Sequence, residues 1–128
     1  MTALSASLWI GLGGALGSIG RYWLGVLVAE LGGAPFPWGT LLINILGSFV
    51  IGWFGYLTIA GGHRPAHEDL RLFVIVGLCG GFTTFSAFSL QTMDMLRTGQ
   101  ALPAAAYVAG SVLLCLGATA LGRYVALV

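Results

Sequence analysis

The side chains able to do chemistry in this 128-residue chain are neutral donors set into apolar runs. The stretch Gly80-Gly81-Phe82-Thr83-Thr84-Phe85-Ser86-Ala87-Phe88-Ser89 lies in the middle of an apolar run from Leu72 to Met93, about the length that spans a bilayer. Paired glycines lower helix propensity by about 1 kcal/mol each relative to alanine, and the two β-branched threonines add a smaller penalty. An interruption there frees N–H and C=O groups, which survive at membrane depth only when buried in protein, facing water or binding an ion. Broken helices of this kind are typical of ion and substrate sites. The alternative is a glycine-lined notch where two membrane helices pack. If the chain is helical after the interruption, Phe82, Phe85 and Ser89 share one face, and Phe85 and Phe88 are i, i+3 neighbours at a spacing usual for packing.

In a second run, Thr40, Asn44 and Ser48 recur every fourth residue, on one helical face with Gly47 and Gly55 close by. Asn44 falls within the hydrocarbon layer. Either it is interhelical glue, worth about 0.6–2 kcal/mol, or its amide N–H groups donate to an anion in a pore. Tyr107 and Ser111 stand one turn apart in the last run, where a tyrosine near a span's end also fits an interfacial belt. His63 and His67 are four apart, but Pro65 between them breaks the helical face that a metal pair would need. Cys79 and Cys115 sit inside apolar runs and read as small packing residues rather than a disulfide or metal pair.

The elements that must position these residues are membrane spans. With 58% hydrophobic and 7% charged residues, a soluble domain of this length would have too little polar surface to cover its core. There is no lysine; the five arginines and four acidic residues fall mostly at segment boundaries, as the cost of charge in hydrocarbon requires. A net charge of +1 suggests neither nucleic acid nor an acidic partner. The pattern predicts an all-α integral membrane protein of one domain, residues 1–128, with spans at about 3–29, 38–61, 72–93 and 104–122, the third broken near its middle. The first span, with no basic start and an apolar stretch longer than a signal core, reads as retained. Gly13 and Gly17, and Gly14 and Ser18, give it small faces for a neighbouring helix. Arg21 near its end is either a snorkelling interfacial residue or a buried anchor. Turns are predicted at residues 32–37 and 99–103, and residues 62–71 form an aqueous loop, with Glu68 and Asp69 favourably placed at the start of the third helix.

Four spans put both termini and the 62–71 loop on one side. Arg64, Arg71 and Arg123 then oppose Arg21 and Arg97, which leaves almost no positive-inside bias. Such a chain can insert either way up, and two oppositely oriented copies can pair about an axis in the membrane plane. Four helices alone make a thin wall for a pore, so a homodimer is expected.

The segments Gly13-Gly14-Ala15-Leu16-Gly17 through Arg21-Tyr22, Gly39-Thr40 through Asn44, Gly47 and Gly52, and Gly80 through Ser89 resemble the CrcB/Fluc family of bacterial fluoride ion channels, in order and over essentially the whole chain. The resemblance implies an antiparallel, dual-topology homodimer in the bacterial cytoplasmic (inner) membrane, with two fluoride pathways and a structural sodium ion at its centre. It implies passive export: hydrogen fluoride enters as a neutral acid, dissociates, and the trapped anion leaves through the channel. Carried over, Asn44 is the pore asparagine, Phe85 and Phe88 the pore phenylalanines, and Ser86 the polar residue between them. Tyr107 and Ser111 extend a polar track, Thr40 is similar to a vestibule threonine, and main-chain carbonyls of Gly80 and Thr83 would hold the sodium. Ala87 stands where the family often has threonine, which removes one hydroxyl from that track.

Two other classes fit less well. A small multidrug-type proton-coupled exporter needs a membrane-embedded carboxylate, and spans one, two and four have none at depth; Glu30 and Asp94 lie at ends. An enzyme needs a nucleophile with a base, or a metal cluster, and no such grouping occurs at membrane depth.

Overall fold

The computed structural model describes residues 2–32, 35–59 and 66–128. Four apolar helical stretches are long enough to cross a membrane. The first is α1 (Ala3–Gly32) and the second α2 (Trp38–Leu57). The third stretch is composite: α3 (Glu68–Arg71), a π-helical segment (Leu72–Cys79), α4 (Gly80–Phe82) and α5 (Phe85–Arg97). The fourth is α6 (Ala101–Leu127). Residues 60–65, with His63, Arg64 and the far end of the second predicted span, lie outside the described residues.

Local chemistry accounts for the boundaries. Glu68 and Asp69 occupy the first turn of α3, where carboxylates complement the helix N-terminus. At the end of α5, Gly99 adopts φ 79°, its N–H donates to Leu96 O (3.1 Å), and Gln100 N–H donates to Met95 O (2.8 Å). These two bonds cap the last carbonyls in a Schellman arrangement that needs a residue tolerant of positive φ. Pro103, expected in the turn, lies instead in the first turn of α6, where a missing N–H costs no helical hydrogen bond.

Two packed pairs make up the chain: α2 runs along α6, and α1 along the π-helical segment and α4. The second pair is a close approach of backbones. A Cβ on Gly13 would overlap Phe73 O, and one on Gly81 would overlap Gly14 O, so these helices touch main chain to main chain. The small buried core, Leu41, Phe88, Met95, Ala104 and Tyr107, lies where α2, α5 and α6 meet. Much of the remaining apolar surface points outward, including Leu8, Leu12, Leu16 and Ile19 on α1 and Leu113 and Leu116 on α6. That distribution suits hydrocarbon as the solvent.

Candidate functional site

The centre of the site is a two-residue stretch of extended backbone between α4 and α5. Thr83 has φ −79°, ψ 159° and Thr84 φ −153°, ψ 112°. The paired glycines are themselves helical, Gly80 at φ −64°, ψ −38°, so the departure falls on the threonines. Phe82 therefore belongs to α4 and does not continue the face of Phe85 and Ser89.

Asn44 holds this conformation. Its Oδ1 accepts from Thr84 N–H at 2.8 Å and its Nδ2 donates to Thr84 O at 3.1 Å, so one carboxamide replaces both backbone partners of an extended residue. The glue role is what this geometry displays, reached through main chain rather than side chain. One Nδ2–H stays uncommitted, because an amide nitrogen carries two donors. Downstream, Thr84 Oγ1 accepts Ala87 N–H (3.1 Å) and caps α5, with Ser86 Oγ 3.2 Å away.

The consequence falls on four carbonyls. In an uninterrupted helix, Gly80 O to Thr83 O would accept from Thr84 to Ala87 N–H. Here Thr84 N–H serves Asn44, Ala87 N–H serves Thr84 Oγ1, and Gly81 O accepts a long 3.4 Å bond from Ser18 Oγ. Among the described residues no donor reaches Thr83 O. Neutral main-chain oxygens released from a broken membrane helix suit a hard monovalent cation.

A cavity of about 390 Å³ opens beside the interruption, lined by Asn44, Ser48, Cys79, Gly80, Thr83, Thr84, Phe85, Phe88, Ser111 and Cys115 among others. No charged side chain lines it among the described residues. Phe85 is 79% exposed, with its ring centroid 5.3 Å from that of Phe88. Ser111 lines this space as a residue, and its Oγ is buried with no hydrogen-bond partner.

Other sequence-predicted residues lie elsewhere. Thr40 lines a second cavity of about 620 Å³ with Arg21, Trp38, Thr84, Ala87 and Gln91. Tyr107 is 1% exposed and packs between Phe36 and Phe88, centroids 5.5 and 5.1 Å away. Its hydroxyl donates to Gln91 Oε1 at 2.9 Å, which places it in the core and not in an interfacial belt. Ser86 is exposed beside Thr84 and does not line the first cavity. Gln91 and Thr84 were missed by sequence reasoning. Gln91 carried the same signal as Asn44, a carboxamide inside an apolar run. Both cysteines line the first cavity, an environment that their apolar flanks did not reveal.

Four long apolar helices with a cavity of neutral donors at membrane depth define a multi-pass helical membrane protein. A family profile described as "CrcB-like protein, Camphor Resistance (CrcB)" matches residues 8–123. The chain is 55% identical over 119 residues to a protein of Methylocella silvestris named "Fluoride-specific ion channel FluC", covering 93% of this chain and 91% of that one. Proteins of the same name from Gluconobacter oxydans (97% and 86% covered) and Opitutus terrae (96% and 93%) are each 51% identical. The chain belongs to the CrcB-like family.

Proposed function

We propose that this protein is a fluoride channel that lets cytoplasmic fluoride leave a bacterial cell passively through the inner membrane, working as an antiparallel homodimer. The observation that carries the reading is the cavity at the interruption: an unpartnered Ser111 hydroxyl, a spare Asn44 N–H and exposed Phe85, with no fixed charge. Fluoride is small and strongly hydrated, so a pathway must replace its water with closely set N–H and O–H donors. Phenylalanine edges carry the positive part of the ring quadrupole and can face the anion without binding it tightly. The absence of a lysine or arginine among the described lining residues keeps binding weak enough for release. Thr40, beside Arg21 in the second cavity, serves as the vestibule, and Ser86, Tyr107 and Ser111 belong to the polar track. The relatives' printed name supports the same substrate.

A partner copy completes the pathway. One chain leaves Phe85 largely uncovered and its cavity open, which suits closure by a second protomer. A sodium ion on the carbonyls of Gly80 and Thr83 would neutralise their dipoles at the dimer centre. Asn44 preserves that arrangement by diverting Thr84 N–H from Gly80 O. The proton-coupled exporter finds no support, since Asp94 is paired with Arg97 at an exposed helix end and no carboxylate lines either cavity among the described residues.

The test is efflux from liposomes containing only the purified protein. With potassium salts inside and valinomycin present to let potassium follow, fluoride should leave rapidly and chloride should stay. Liposomes no leakier to fluoride than protein-free ones would overturn the proposal.

A further inference from the structure

The hard donors around the first cavity are largely committed: Asn44 and Thr84 to each other, and Thr83 Oγ1 to Cys79 O at 2.8 Å. Two soft groups remain beside the uncommitted main-chain oxygens. Cys79 and Cys115 both line the cavity and both are free thiols. Cys115 stands one helical turn beyond Ser111 on the same face of α6. Ser111, which lines the same cavity, is 7% exposed and its hydroxyl has no hydrogen-bond partner. Phe85 and Phe88 add aromatic faces, which attract cations. Thiols select soft d10 cations over hard ones, and no carboxylate is present to reverse that preference among the described residues.

We propose that this cavity is a binding site for a soft monovalent cation of the silver(I) or copper(I) class, held by the Cys115 and Cys79 sulfurs, and that its occupation blocks the pathway. Binding is a substitution without redox change. The S–H bond breaks, an S–metal bond forms, and the proton passes to water, so the metal stays monovalent. The bound ion fills space between Ser111 and the phenylalanine rings that a passing anion needs. The blocking clause rests on the proposed fluoride conduction; the binding clause does not.

The probe is silver nitrate in chloride-free buffer, added to the full-length protein in liposomes and, separately, in detergent. Micromolar silver should cut fluoride efflux at least tenfold, read against each variant's own flux before addition. In detergent it should shield the thiols from a chromogenic thiol reagent. Cys115→Ser should abolish most of the block and Cys79→Ser should weaken it, with the double variant insensitive. A double variant blocked like the parent, or a Cys115→Ser variant of unchanged sensitivity, would overturn the site. Thiols shielded by silver while efflux continues unchanged would overturn the block. Should the parent conduct no fluoride before silver is added, conduction fails, and thiol shielding alone decides the site: shielding of both thiols in the parent that weakens for the one remaining thiol in each single variant upholds it, and parent thiols that stay reactive, or single variants shielded like the parent, overturn it.

Discussion

Truncating Asn44 to alanine removes both partners of Thr84 at once. Thr84 is 8% exposed, so water does not readily replace them. A neutral hydrogen bond contributes about 0.5–1.5 kcal/mol net, and a buried amide or carbonyl left unpaired costs about 1–3 kcal/mol. Two such groups give an expected loss of about 2–4 kcal/mol for Asn44→Ala. Thr84 N–H has one fallback, Gly80 O, which would close the interruption and withdraw a carbonyl from the proposed cation site. Asn44→Asp keeps an acceptor for Thr84 N–H but has no donor for Thr84 O, so about half the loss is expected. Ser48→Ala, on the same face one turn later, should stay within about 0.5 kcal/mol. The assay is equilibrium unfolding in detergent, with fluoride efflux measured per folded protein. An Asn44→Ala variant as stable as Ser48→Ala would refute the reasoning, because the carboxamide would then not be holding the extended backbone.

Three further outcomes follow from particular atoms. Ser111→Ala should leave stability unchanged or slightly raised, since its hydroxyl is buried without a partner, yet should slow fluoride efflux; unchanged efflux would remove Ser111 from the pathway. Gly81→Ala should destabilise the chain by about 1–3 kcal/mol or more because the new Cβ meets the Gly14 backbone, which cannot rotate away. Gly80→Ala meets nothing within 4 Å in the single chain, so it should preserve the fold and instead lower the dimer fraction in sedimentation; an intact dimer would argue against a partner seated there. A cysteine-reactive tag at the C-terminus should label from both sides of intact cells in comparable amounts, and uniform labelling from one side would rule out dual topology.

The four spans were legible because a chain with 7% charge leaves few other places for so much apolar surface. Asn44, Phe85, Phe88 and Ser111, which line one cavity, were brought together by the resemblance to the CrcB/Fluc family; residue type and spacing alone left packing and pore roles open. What stayed hidden was backbone. Nothing in Leu72–Cys79 announces i→i+5 bonding, since a π-helical segment depends on its neighbours more than on its own propensities. The departure from the helix falls at Thr83 and Thr84, after the paired glycines, because a tertiary partner forty residues away supplies the replacement bonds. Gly81 is there for contact with Gly14 rather than for conformational freedom. Tyr107 likewise reads as an interfacial residue until Gln91 Oε1 is seen to accept its hydroxyl hydrogen bond.

The central claim is passive conduction of fluoride, and charge balance tests it most directly. Liposomes holding the purified protein are loaded with potassium fluoride and diluted into fluoride-free buffer at equal pH. A channel carries uncompensated charge, so efflux should stay small until valinomycin lets potassium follow, and then become fast. Rapid fluoride loss without valinomycin, driven instead by an imposed pH gradient, would contradict the account and favour a proton-coupled exporter.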